Sequence, residues 1–131
     1  MIVLDTCAII WDALQQDKLT QRALQAINKA DHENVLMVSD ISFWEIAMLV
    51  KKGRLKLDTP TSRFISLYLQ FRNITVAAIT PEIAEVSVGF SDGINQDPAD
   101  RIIVATSLVH RASLVTADSN LLAVPIIETC W

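Results

Sequence analysis

The chain has 131 residues, 51% of them apolar, and a formal net charge of −4. That length suits one domain with a substantial core, and the apolar fraction excludes a disordered chain. The acidic balance argues against a protein that coats DNA by charge alone, and no apolar run reaches the ~20 residues that span a bilayer.

The first predicted element is a strand at Met1–Leu4, which runs straight into Asp5. Leu19–Ala30 carries apolar residues at a helical period: Leu19, Ala23, Leu24, Ile27 and Ala30. Val35–Ser39 reads as the second strand. Asp40 is a natural cap for the helix that follows, Ser42–Lys52, with Gly53 as its C-terminal stop. A helix over Thr61–Phe71 comes after Pro60, and Thr75–Ala78 is the third strand. Pro81 opens a helix to Val88, and Pro98 opens another through Val109, because a missing N–H costs nothing in a first helical turn. Strands at Leu114–Thr116 and Ile126–Glu128 flank a short helix at Asp118–Leu122. The strands are short and rich in Val, Ile and Leu without polar alternation, which fits burial on both faces. The alternation of strands and helices predicts a three-layer α/β/α sandwich with a central, mostly parallel sheet of about five strands, in a single domain spanning 1–131.

The acids fall in a pattern on this map. Asp5, Asp40 and Asp118 follow strands; Glu45 sits inside SFWEIAML; Asp97 and Asp100 bracket Pro98 in DPADRIIVATSL. Each belongs to the C-terminal edge of the sheet or to the first turns of the next helix, where open α/β sheets bind ligands. Capping accounts for Asp40 and Asp97 by itself and is one reading of Asp118. Glu45 among Phe43, Trp44 and Ile46 is harder to explain, since a carboxylate buried without a partner costs several kcal/mol. Two carboxylates ~5 Å apart repel by roughly 3 kcal/mol at an effective dielectric near 20. Several such pairs demand protons or a cation, and hard oxygen ligands select Mg²⁺ or Mn²⁺ over Zn²⁺. No histidine cluster competes: His32 lies in the polar run DHEN, and His110 lies near a helix end. Cys7 and Cys130 are too few for a disulfide scaffold and are expected to be free thiols. With no export signal visible, a cytoplasmic location is expected.

VLDTCAII, SFWEIAML, DPADRIIVATSL and LVTADSNL, in that order and spacing, resemble the motifs of PIN domains, and more specifically the single-domain ribonuclease toxins of the VapC type. The resemblance runs the length of the chain. It implies metal-dependent hydrolysis of RNA with Asp5, Glu45, Asp100 and Asp118 as the acidic, metal-holding set. Asp97 matches a frequent additional acid, Thr6 the small hydroxyl residue beside the first acid, and Thr116 the hydroxyl two positions before the last. It also implies a cognate small antitoxin that covers the site, and a homodimer is expected. Trp11, Phe43, Trp44 and the 42–50 helix offer a groove or dimer face, with core packing as the alternative for the aromatics. Lys51, Lys52, Arg54 and Lys56 either steer RNA phosphates or form a solvated helix end. Trp131 is expected to be buried only if the tail is pinned.

Two other classes remain in view. A PIN-like scaffold that binds RNA or a partner without catalysis would share every motif. Haloacid-dehalogenase-like phosphatases also begin with a strand and an Asp, but need a second Asp two residues on, where this chain has Cys7. Receiver domains carry their phosphoacceptor Asp after the third strand rather than the first.

Overall fold

The computed structural model describes residues 1–91, 94 and 96–131. Five strands, β1 (Ile2–Leu4), β2 (Leu36–Ser39), β3 (Ile74–Ala77), β4 (Ser113–Val115) and β5 (Thr129–Cys130), form one sheet in the order β3-β2-β1-β4-β5. Every pairing is parallel: β1 lies between β2 and β4, with Val3 opposite both Met37 and Leu114. The α/β/α architecture expected from the sequence is therefore observed.

The helices are α1 (Thr6–Leu14), α2 (Gln21–His32), α3 (Ile41–Lys51), α4 (Thr61–Phe71), α5 (Pro81–Val88), α6 (Pro98–His110) and α7 (Ser119–Leu122) among the described residues. The central strands β1 and β2 are almost wholly apolar and buried because both sheet faces are covered there, whereas Thr75 and Val76 of the edge strand β3 are exposed; successive side chains enter opposite layers. Leu4, Val38 and Val115 pack with Ile9, Ile27, Ile46, Phe64 and Tyr68 on one side. Val3, Met37 and Leu114 pack with Ile103, Val104 and Leu121 on the other. None of these helices is long and apolar enough to cross a membrane. Both cysteines are free.

Two local expectations need correction, and one helix lay outside them. Helix α1 was not legible, because its burial wraps around it: Thr6, Ala8, Ile9, Ile10 and Asp12 are all buried, which leaves no clean amphipathic period. The last strand is β5 at Thr129–Cys130, not Ile126–Glu128. Pro125 brings in a turn, Ile126 is half exposed, and pairing begins only where Leu114 N–H meets the Glu128 carbonyl at 2.8 Å. Asp40 does not cap α3: its side chain makes no capping bond, and the Ser39 hydroxyl accepts from Ile41 N–H instead, at 3.2 Å. One Asp40 carboxylate oxygen accepts from Ile79 N–H at 3.4 Å.

Gly53 does end α3. It adopts φ +73°, a left-handed conformation that a side chain would strain. Its N–H bonds the Val50 carbonyl at 3.1 Å and the next N–H, from Arg54, bonds Leu49 at 2.9 Å. These two bonds make a Schellman turn. It redirects the chain so that Arg54 comes back beside Lys52 on the rim of α3.

The tail is pinned. Trp131 is half-buried, and its ring lies 5.5 Å from that of Trp11 in a tilted contact. Tilted aromatic pairs at this separation add about 0.5–1.5 kcal/mol beyond area burial.

One polar network lies inside the α1–α2–α4 layer, and nothing in the sequence flagged it. Asp12 is 2% exposed and receives Arg72 Nη2 at 2.7 Å, Arg72 Nε at 3.0 Å and the Tyr68 hydroxyl at 2.7 Å. Arg72 Nη1 reaches Asp31 at 3.0 Å and Asn28 at 2.8 Å. Burial alone would lower the Arg72 pKa; the facing carboxylates of Asp12 and Asp31 outweigh it and hold the guanidinium charged. The Asn73 backbone N–H, ahead of Arg72, holds the Asp31 carboxyl below its usual range.

Candidate active site

The sheet order fixes where a site can form. From β1 the chain steps outward through β2 to β3, then returns to the other side of β1 with β4. The C-terminal ends of β1 and β4 flank this reversal, and the crevice beyond them is the natural ligand position of an open parallel sheet. Asp5 follows β1; Thr116, Ala117 and Asp118 follow β4. Helices α3 and α6 bring in Glu45 and Asp100. Asp5, Thr6, Cys7, Trp11, Glu45, Leu49, Asp100, Ala117 and Asp118 line one cavity of about 360 Å³.

Asp5 is 6% exposed and doubly tethered. One carboxylate oxygen accepts from Thr6 N–H at 2.8 Å, which caps α1. The other accepts from the Thr116 hydroxyl at 2.8 Å. Thr116 in turn accepts from Asp118 N–H at 3.1 Å, so a single hydroxyl ties the loop after β4 to the acid after β1. Asp118 caps α7 through Asn120 N–H at 2.8 Å.

Glu45 is half-buried and accepts a hydrogen bond from the Thr6 hydroxyl. The Thr6 and Ser42 oxygens are 2.9 Å apart. Thr6 has one proton, and the carboxylate is the stronger acceptor, so Ser42 donates to Thr6 and Thr6 donates to Glu45. Ser42 was missed by sequence reasoning. Its position three residues before Glu45 places both on one helix face, and that spacing is the signal that marks it.

Asp100 lies in the first turn of α6, whose cap is Asp97: its carboxylate accepts from Ala99 N–H at 2.9 Å and Asp100 N–H at 3.4 Å. Asp97 is therefore a capping residue in position, and it is exposed beside the cluster rather than inside it.

Asp5, Glu45 and Asp100 each present a carboxylate oxygen, and the three lie within 4.8 Å of one another. Asp118 shares the cavity but stands outside this tightest group. The electrostatic consequence is consistent across all three. Burial first, with the charges of Asp118 and Asp97 adding to it, raises the Asp5 pKa against the lowering effect of its two hydrogen bonds. Glu45 is raised by burial, and by Asp5 and Asp97, against its bond from Thr6. Asp100 is pushed up to about 7 by burial, then by Asp5, Asp97, Glu45 and Asp118. Cys7, exposed at the cavity mouth, is pushed up to about 11 by desolvation of its sulfur and then by the same carboxylates, which keeps it a neutral thiol.

Residues forced to hold protons this tightly fit a divalent cation. The donors are all oxygen, three can converge on one point, and a cation removes the repulsion that raises them. Asp5, Glu45 and Asp100 could hold such a cation, with Asp118 adjacent in the same cavity.

A pH prediction follows. Asp100 binds its proton more tightly in the folded chain than in the unfolded one, where its pKa is near 3.8. Between pH 4 and 7 the folded form therefore carries the extra proton, and stability of the metal-free protein falls as pH rises through that window. We expect Asp100→Asn to flatten this decline by about 1–2 kcal/mol, a figure already reduced for partial solvent screening. Mn²⁺ should raise the melting temperature at pH 8 far more than at pH 5, because binding must displace the proton. Thermal melts of both proteins at four pH values with and without Mn²⁺ check this. Identical pH slopes in the two proteins would count against the assignment.

Fold and site together define an α/β protein with a cluster of carboxylate donors in a cavity at the switch point of a parallel sheet. The PIN domain family profile matches residues 2–127, and the chain belongs to that family. It is 32% identical over 120 residues to Ribonuclease VapC22 of Mycobacterium tuberculosis, covering 92% of this chain and 88% of that one. Among solved structures it is similar to VapBC2 from Rickettsia felis bound to a promoter DNA fragment, with a TM-score of 0.74 at 15% identity over 98% of this chain and 97% of that one. DNA-bound VapBC from Salmonella typhimurium gives 0.70 at 16% identity, over 98% and 95%. At such identities the structural likeness concerns the fold alone. Family membership sets aside the phosphatase and receiver readings.

Proposed function

We propose that this protein is a metal-dependent endoribonuclease toxin of a toxin–antitoxin pair, hydrolysing RNA phosphodiester bonds at Asp5, Glu45, Asp100 and Asp118. The observation that carries the reading is the convergence of three carboxylates, from the end of β1, from α3 and from α6, with their oxygens within 4.8 Å. The relative Ribonuclease VapC22 supports the reaction class. Structural neighbours that are VapBC complexes support a small antitoxin as partner, and a homodimer remains part of the reading.

Asp5, Glu45 and Asp100 would hold Mg²⁺ or Mn²⁺. When bound, such an ion would lower the pKa of water and offset charge on the phosphate. The chain's own residues do the rest. Asp5 is fixed at a strand end by the Thr6 amide and the Thr116 hydroxyl, so the cluster is pre-organised before substrate arrives. Glu45, oriented by Thr6 and Ser42, positions the attacking water and accepts its proton. Asp118, tied through Thr116, completes the acidic wall on the β4 side.

Purified protein incubated with structured RNA and Mn²⁺ is expected to give discrete cleavage products on a gel, and EDTA is expected to abolish them. Binding without cleavage under both conditions would favour the non-catalytic PIN-like module instead.

A further inference from the structure

A second cavity adjoins the acidic one. It is a groove of about 450 Å³ walled by Ile41, Trp44, Met48 and Leu49 of α3 on one side and Asp97, Pro98 and Ala99 at the start of α6 on the other. Glu45 and Leu49 line both cavities, so the groove opens directly onto the carboxylates. Trp44 is 58% exposed, which is unusual for the largest apolar side chain and overturns its core-packing alternative. Lys52 and Arg54 stand on the same rim, brought together by the Gly53 turn.

We infer that this groove is a subsite for an unpaired RNA nucleotide next to the scissile phosphate, with its base stacked on Trp44 and a flanking phosphate held by Lys52 and Arg54. The inference rests on the ribonuclease reading and specifies how the substrate enters it. The volume lies in the range of small-molecule sites. An exposed indole offers every base a flat π-face, and such stacking is sequence-tolerant. Charge complementarity selects the occupant. The groove carries Lys52 and Arg54 at its rim and Glu45 and Asp97 beside the acidic cluster, so a cationic peptide is repelled at the rim, whereas an anionic backbone is held there and runs about 10 Å along α3 to the carboxylates and the cation they would bind. A base held in a duplex keeps both faces stacked and cannot use Trp44, so the subsite selects single strands.

The test measures binding of fluorescein-labelled octauridylate, and of a blunt RNA duplex of equal length, by anisotropy in EDTA so that turnover does not intervene. Trp44→Ala is expected to weaken octauridylate binding about tenfold, with Trp44→Phe recovering most of it. The double variant Lys52→Glu, Arg54→Glu is expected to lower the slope of log K against log salt by about 0.7, the value for one phosphate on a single strand. All three positions are exposed, and circular dichroism controls for folding. Equal affinity of Trp44→Ala and parent overturns the inference, as does equal affinity of the parent for duplex and single strand. Unchanged RNA binding with an altered sedimentation state would give the groove to a protein occupant and likewise overturns it. If the parent binds octauridylate through Trp44 yet never cleaves RNA, the subsite stands and the nuclease reading falls. Cleavage that is indifferent to Trp44 has the opposite meaning.

Discussion

Asp5→Asn is expected to abolish RNA cleavage, by on the order of 10²–10³ or more, while leaving the fold intact. The amide keeps the shape of the carboxylate and removes the charge around which the cluster is built. Its oxygen still accepts from Thr6 N–H, so the α1 cap survives. Its NH₂ now faces Thr116, whose hydroxyl turns its proton away and accepts instead; that oxygen already accepts from Asp118 N–H and has a second lone pair to offer. The stability outcome is the more discriminating half of the result. Asp5 sits buried among like charges that raise its pKa, so the metal-free variant should melt at the same temperature as the parent or higher. It should also lose most of the Mn²⁺-dependent rise in melting temperature. Gel assays and thermal melts on the same preparation check both. Full activity in Asp5→Asn removes Asp5 from the chemistry, and a collapsed fold would reassign it to structure.

The second large effect lies away from the site. Arg72→Ala is expected to destabilise the protein by about 3–5 kcal/mol, because Asp12 stays buried with its charge uncompensated. Arg72→Lys should recover only part of this, since an ammonium cannot reproduce the paired contacts from Nε and Nη2 to the two Asp12 oxygens. Replacing both partners, Asp12→Leu with Arg72→Met, should cost much less than Arg72→Ala alone, because no orphaned charge remains. Urea denaturation of the four proteins measures the series. A double variant as unstable as Arg72→Ala would mean that the loss does not come from an uncompensated Asp12 charge.

The parts of the structure that the sequence declares are those governed by local chemistry. Pro81 and Pro98 mark helix starts, Gly53 marks a helix end, and unbroken Val/Ile/Leu runs mark doubly covered strands. The acids were legible because carboxylates at strand ends are difficult to explain otherwise. What stayed hidden depends on partners remote in the chain. Asp12 stands out in no local pattern, and only Arg72, sixty positions on, makes it a buried anchor. Ser42 reads as a helix start until Thr6 gives it a recipient. Asp40 was misread for the converse reason: the residue type favours capping, but its backbone is already helical at φ −63°, ψ −22°, and Ser39 is better placed to serve the exposed amide. The distinction between Asp97 and Asp100 could not be drawn from DPAD alone. The first is turned back onto its own helix and the second projects into the cavity.

The position of β1 in the middle of the sheet has a consequence for assembly. Strand β1 cannot acquire its second neighbour until residues 113–115 exist, and the two flanking pairings span very different lengths of chain. Such non-local closure is slow relative to helix formation. The carboxylates at 100 and 118 also arrive late, so a nascent chain has neither a finished sheet nor a complete acidic cavity. A protein that attacks RNA is thereby built so that its acidic cavity closes only when the last strands of the sheet are in place.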